Sequence, residues 1–266
     1  MKRRTQSSIA VSADNEKWVL LNCSPDIREQ IATVQQLQPK MKPRNSPIVA
    51  VVITNGDIDH IGGLLSLRES HKFSVWASAS VLKQITESPV FAVLNPDFVS
   101  FHEIEFSKAF SPVHGLAIEA FVVPGKVPLY REAIQAHGVD RSGTTMGLHL
   151  HHQRGTMSYV PGCGQIDDQL LSDLSQTDKL FFDGTLWTED EMIVSKTGQK
   201  TGRRMGHVPV SGLDGSMAML AGLRASKKIF VHLNNTNPLL IDGSPEQQQA
   251  TNQGWLVAHD GLEIEL

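Results

Sequence analysis

Pro47-Ile48-Val49-Ala50-Val51-Val52-Ile53-Thr54-Asn55-Gly56-Asp57-Ile58-Asp59-His60-Ile61-Gly62-Gly63 decides how the rest of the chain is read. Its first seven residues are a continuous apolar run bounded by a polar loop. Such a run predicts a strand buried on both faces, between layers of a larger sandwich. Where that strand ends, Asp57, Asp59 and His60 fall within four residues of one another. A loop leaving the strand would let their side chains converge, and Gly62-Gly63 would let the backbone turn tightly into a helix expected to begin over 64–68. Carboxylate oxygens with an imidazole favour iron(II) or manganese over a soft, thiolate-bound metal, with zinc as the alternative. The plainer reading of the same residues is an Asx-rich turn and helix cap beside an incidental histidine.

Working outward, residues 8–13 and 18–22 alternate like the two arms of a hairpin with Asp14-Asn15 at its turn. Ser24-Pro25 opens a helix running through Ile27, Ile31 and Val34. Strands are expected at 73–77, 101–106, 116–123, 179–183 and 228–233, and a hairpin from 145–151 and 156–160. Helices are expected at 80–86, 170–173 and 211–221, and a closing hairpin from 255–257 and 262–266. Mixed strands and helices with polar clusters at strand ends predict an α/β sandwich.

Composition narrows the function classes. The chain has 266 residues, 40% of them hydrophobic, enough for a single domain over 1–266. A net charge of -4 with 20% charged residues gives no basic face for nucleic acid and no acidic tail. Two cysteines, Cys23 and Cys163, are too few for a disulfide framework or a thiolate metal site, which predicts a reducing, cytoplasmic setting. No apolar stretch approaches the roughly 20 residues of a membrane helix. The basic start carries no apolar segment of a secretory signal.

Three further segments carry possible chemistry. Met205-Gly206-His207-Val208-Pro209 sets a histidine between Gly and a following Pro, where it either approaches a ligand or is satisfied by backbone carbonyls. Ile229-Phe230-Val231-His232-Leu233-Asn234-Asn235-Thr236-Asn237-Pro238 ends an apolar strand on His232 and continues into an amide-rich loop. Asn234, Asn235 and Asn237 there either bind substrate or cap the strand. Phe182-Asp183-Gly184-Thr185 puts Asp183 at the end of a buried strand, either to orient a histidine or simply to turn the chain. Arg203 and Arg204, beside His207, suit carboxylates as bidentate partners, or form a solvated basic loop.

The strand followed by Asp59-His60-Ile61-Gly62-Gly63 resembles the first motif of metallo-β-lactamase-fold proteins, although Asn55 and Asp57 stand where that family carries its first two histidines. Lys126, in Val123-Pro124-Gly125-Lys126-Val127-Pro128, stands where hydrolase relatives carry another histidine. A cation there disfavours a second metal. The order of Leu21-Asn22-Cys23-Ser24-Pro25-Asp26, Asp59-His60, Tyr159-Val160-Pro161-Gly162, Phe182-Asp183-Gly184-Thr185, Met205-Gly206-His207 and His232-Leu233-Asn234-Asn235-Thr236-Asn237-Pro238 is similar to that of the PQQ synthesis protein B family, over essentially the whole chain.

The resemblance implies a metallo-β-lactamase-like αββα sandwich. The usual N-terminal strand and CxCxxC segment of that family are missing from this sequence, so no structural zinc is expected. It implies a role in making pyrroloquinoline quinone (PQQ) through iron(II)- and oxygen-dependent hydroxylation of the tyrosine ring of a Glu–Tyr-derived precursor. Asp59, His60 and His232 would ligate one divalent metal, a two-His-one-carboxylate set with open positions. Asp57 and His207 would serve catalysis as a proton donor, or act as an extra ligand or a substrate contact, and Asp183 would orient a histidine or a ligand. A carrier that helps PQQ or its precursor towards the periplasm is the first alternative, and a metallo-hydrolase the second. The partners expected are the small-molecule or dipeptide substrate or PQQ itself, other proteins of the PQQ pathway and a second copy in a homodimer.

Overall fold

The structure is a computed structural model that describes residues 3–42, 44–132 and 138–266. Its residues group into two compact units.

The first unit comprises Thr5–Ala120 and Pro128–Arg131. It is built on a five-stranded sheet of order β1-β2-β3-β4-β5, with β1 Ile9–Val11, β2 Trp18–Leu21, β3 Ile48–Val52, β4 Phe73–Ala77 and β5 Val99–Glu103. The expected hairpin is present, with β1 antiparallel to β2 and Ile9 opposite Leu21. From β2 to β5 every neighbour is parallel, so the connections must cross over, and helices make them. Helix α1 (Ile27–Thr33) lies between β2 and β3, and α3 (Ala79–Thr86) between β4 and β5. Central β3 is the predicted doubly buried strand: Ile48, Ala50, Val51 and Val52 are all fully buried. Ile48 and Val51 join a core with Leu20, Ile61, Leu64, Val75, Val81 and Ile85. An antiparallel pair, β6 (Ala109–Val113) and β7 (Leu116–Val122), follows.

After β3 the chain departs from expectation. Helix α2 is Ile58–Ile61, and a 3₁₀ stretch runs Gly62–Leu67. The helix therefore starts before the glycines, and Asp59 and His60 ride on it and not on a loop. Asp57, extended at φ -65 and ψ 148, is its N-cap. Gly63 explains why the turn tightens there: a Cβ at this position would lie 2.1 Å from the Ser24 carbonyl oxygen.

The second unit comprises Met1–Arg4, Phe121–Val127 and Glu132–Leu266. Its strands run in the order β12-β11-β10-β9-β8, with β8 Met146–His152, β9 Gly155–Val160, β10 Lys179–Asp183, β11 Lys227–Val231 and β12 Trp255–Val257. The hairpin β8–β9 is antiparallel, and β9 to β12 are parallel. The helices here are α4 (Asp168–Asp173), α5 (Glu191–Val194), α6 (Gly202–Met205), α7 (Ser216–Met219) and α8 (Pro245–Asn252). Phe182, Phe230, Leu180 and Trp255 anchor this unit's core, with the Phe230 and Trp255 rings stacked 4.0 Å apart.

Two expectations fail in this unit. The helix predicted over 211–221 is the single turn α7, because Gly212 sits at φ +93 and breaks the helical path. The closing hairpin is absent: 262–266 forms no strand, and β12 instead pairs parallel to β11. A parallel return needs a crossover, supplied by α8, which the sequence reading did not foresee. Its signal was Ser244-Pro245: the Ser244 hydroxyl accepts from the Gln247 N–H at 3.1 Å, and Pro occupies the first turn.

Candidate metal centre

Each unit carries one group of ligand-type side chains. In the first unit it is set by the ends of β2 and β3. Asn22, at φ 63, turns its side chain onto Thr54: its amide donates to Thr54 Oγ1 at 2.9 Å and its oxygen accepts the Thr54 N–H at 2.8 Å. Asn55 Oδ1 accepts the Asp57 N–H at 2.9 Å. The next turn is α2, tied to β2 because the His60 carbonyl accepts the Cys23 N–H at 2.7 Å. His60 is buried, whereas Asp59 keeps 36% of its side chain exposed, with its Oδ2 3.9 Å from His60 Nε2. A buried imidazole beside a solvent-facing carboxylate is a donor set suited to a divalent cation. Asp57, half-buried, caps the same helix.

In the second unit, Asp183, His207 and His232 bring one ligand atom each to within 4.8 Å of the others. Asp183 ends β10 fully buried. Its Oδ2 accepts the Cys163 N–H at 3.0 Å and lies 2.7 Å from His207 Nδ1, while Oδ1 accepts the Thr185 N–H at 3.0 Å and the Thr185 hydroxyl at 2.6 Å. Burial alone pushes the Asp183 carboxyl up. The facing His207, then His232 and the Thr185 hydroxyl outweigh burial and hold it below its ordinary value.

His232 follows β11 in the left-handed region at φ 58, an uncommon conformation for a non-glycine residue. Thr185 supports it there, with Oγ1 2.7 Å from His232 Nδ1 and 2.9 Å from its carbonyl oxygen. The Thr185 hydroxyl has one proton, which the 2.6 Å contact gives to Asp183. It then accepts from His232 Nδ1–H. His207 likewise donates Nδ1–H to Asp183. Both rings, stacked 5.3 Å apart, thus commit Nδ1 to these partners, which leaves Nε2 as the second ligand-type atom of each ring.

The remaining predicted residues take separate positions. Asn237 is buried and pins the loop: its amide donates to the Gly184 carbonyl at 2.7 Å, and its oxygen accepts the Leu239 N–H at 2.9 Å. The Asn234 amide donates to Thr236 Oγ1 at 2.6 Å, and Asn235 is exposed. Arg203 is engaged by two carboxylates, Glu189 at 3.0 Å and Asp214 at 2.7 Å. Arg204 meets Glu132 at 3.3 Å, as does Lys126 at 3.2 Å. Sequence reasoning missed two residues. Thr185 was noticed only as a polar strand end. Glu191, buried on α5, accepts from both the Trp187 N–H and the Thr236 hydroxyl at 2.5 Å and so braces the Asn-rich loop. The run Glu189-Asp190-Glu191 was its only trace.

The parallel sheets with ligand-type residues at strand ends define the class, and a family model described as the beta-lactamase superfamily domain matches residues 17–233. The chain is therefore a metallo-β-lactamase-fold protein. Coenzyme PQQ synthesis protein B of Xanthomonas euvesicatoria is 48% identical to it over the whole chain and 89% of that protein. Its counterpart from a Methylobacterium species is 46% identical over the same shares. A crystal structure of zinc-bound PqqB from Methylobacterium extorquens superposes with a TM-score of 0.96 at 44% identity, covering 99% of this chain and 88% of that one. The chain belongs to the coenzyme PQQ synthesis protein B family and is a protein of PQQ biosynthesis. The zinc-bound relative and the donor sets above support a divalent metal. No helix among the described residues is long and apolar enough to cross a membrane.

Proposed function

We propose that this chain is an iron(II)-dependent hydroxylase that acts on the tyrosine ring of a Glu–Tyr-derived PQQ precursor. Asp59, His60 and His232 would hold the metal, a two-His-one-carboxylate set suited to non-haem iron chemistry. The bound ion would supply oxygen activation. In the overall reaction one atom of O₂ enters a ring C–H bond as C–OH and the other leaves as water, with two electrons and two protons from an external reductant.

What supports the reading is the way His232 is held. A left-handed backbone at φ 58 persists only where its surroundings enforce it, and Thr185 enforces it here by accepting from the ring Nδ1–H. Such an arrangement fixes the direction in which Nε2 points. His207, whose Nδ1 proton is committed to Asp183, keeps Nε2 to take a proton from the substrate phenol. Asp57, at the start of α2, is the second candidate for handling a proton.

The test is anaerobic loading with iron(II), then addition of oxygen, ascorbate and a Glu–Tyr peptide substrate, with oxygen uptake and ring hydroxylation followed together. Wild type turns over, and His60→Ala and His232→Ala do not. Tight PQQ binding with no oxygen uptake in any preparation would replace the hydroxylase with a carrier.

A further inference from the structure

Glu132 collects three cations. Lys200 Nζ lies 2.9 Å from its Oε2, Lys126 Nζ 3.2 Å from its Oε1, and Arg204 Nη2 3.3 Å from its Oε2. The second guanidinium nitrogen of Arg204 reaches Oε1 at 3.4 Å. Three positive charges on one carboxylate leave a local excess of two. Lys126 and Glu132 are largely withdrawn from solvent, at 11% and 16% side-chain exposure, whereas Lys200 and Arg204 open outward at 36% and 55%. Charges of one sign gathered on a partly buried anchor attract an anionic ligand.

The cluster also sits against the His207 turn. Gly206, at φ +90, immediately precedes His207, and a Cβ there would lie 2.9 Å from Lys126 Cγ. The Lys126 stem therefore passes over the Gly206 backbone, and only glycine permits so close a passage. Arg203, next in chain to Arg204, contrasts with it: its guanidinium is already matched by Glu189 and Asp214. Of the two arginines, only Arg204 belongs to the cluster with surplus charge.

We infer that Lys126, Lys200 and Arg204, gathered on Glu132, form the subsite that takes the carboxylates of a polycarboxylate ligand beside His207. Glu132 holds the three cations together and spaces them, and the ligand supplies the two negative charges the cluster lacks. Arg204 offers planar paired N–H groups to one carboxylate, and Lys200 a point charge to another. This inference rests on the PQQ-precursor reading for the identity of the ligand, but not on hydroxylation.

The experiment is calorimetric titration of the zinc-loaded full chain with PQQ, a tricarboxylate, and with its uncharged trimethyl ester. Lys200→Gln/Arg204→Gln is compared with wild type, and both are checked for an unchanged melting temperature. The double variant is expected to lose about tenfold or more in PQQ affinity, as for lost charge-assisted hydrogen bonds. Its affinity should depend less on salt, while the ester binds wild type and variant alike. A milder substitution, Arg204→Lys, should recover part of the loss if charge is what matters. Equal PQQ affinity in wild type and double variant overturns the inference, as does wild type that fails to bind PQQ or binds the ester as tightly as the acid. Absence of oxygen uptake with carboxylate-dependent binding intact would sink the hydroxylase and leave this subsite standing.

Discussion

Thr185 touches Asp183, His207 and His232 at once, with Oγ1 at 2.6, 3.1 and 2.7 Å from their polar atoms. Replacing it by valine keeps the shape and removes the hydroxyl. Thr185→Val then removes one of the two hydrogen bonds to a buried carboxylate oxygen and leaves an imidazole N–H unmatched, which costs about 1–3 kcal/mol in urea unfolding. By releasing the His232 ring it weakens metal binding about 10–100-fold in a chelator competition, the usual effect of losing a partner that orients a ligand. Unchanged stability and metal affinity would show that the hydroxyl orients nothing. Acid acts on the same cluster. The Asp183 carboxyl is depressed in the folded protein, so its contribution is present above the ordinary carboxylate range and is lost as pH falls through its folded value. Asp183, His207 and His232 were legible one by one as polar residues at strand ends. Thr185 was not, because a hydroxyl acquires its role only when two loops fold over one strand terminus.

Helix α2 shows where element-level reading falls short. The apolar run of β3 and the Gly62-Gly63 pair were plain, yet the helix begins four residues before the glycines. Asp57 at ψ 148 already turns the chain, and the His60 and Ile61 N–H groups both donate to its carbonyl. The glycines serve packing: Gly63 allows close approach to the Cys23–Ser24 backbone. Gly63→Ala forces a methyl group to 2.1 Å from the Ser24 carbonyl oxygen and 2.7 Å from Cys23 Sγ. It should therefore destabilise by about 1–3 kcal/mol, the range for overpacking, and displace α2 with Asp59 and His60. Chemical denaturation measures the first effect and metal retention the second. Wild-type values in both would mean that the backbone yields without cost. Helix α8 was overlooked for a different reason. Its polar composition shows no apolar stripe, with Ala250 its one buried residue, and only the Ser244-Pro245 cap marks it.

At the scale of the molecule, most of the strands and the two ligand groups followed from apolar runs and their polar termini, while β6 was not foreseen and 262–266 forms no strand. Strand pairing did not follow, because a short apolar run reads alike in parallel and antiparallel sheets. Burial also gives the protein a pH response outside the candidate site. His149 stacks on Phe121 at 4.2 Å, and burial, with the nearby His151 adding repulsion, pushes its imidazole down to about 4. An unfolded histidine takes up its proton near pH 6.5, so stability falls as pH drops from there to about 4. The loss by pH 4.5 is on the order of 2–3 kcal/mol, and His149→Gln should flatten this part of the urea stability–pH curve. A variant curve parallel to wild type would assign the acid response elsewhere.

Asp59, His60 and His232, far apart in sequence, are proposed to serve one divalent ion. Metal content after equilibrium dialysis against limiting iron(II) under anaerobic conditions, read by mass spectrometry for wild type, His60→Ala, His232→Ala and the double variant, tests it most directly. One ion per wild-type chain is expected, with a large loss in each single variant and little further loss in the double variant, because the two histidines would act on the same ion. Full occupancy in either single variant, or two independent partial losses that add in the double variant, would contradict it.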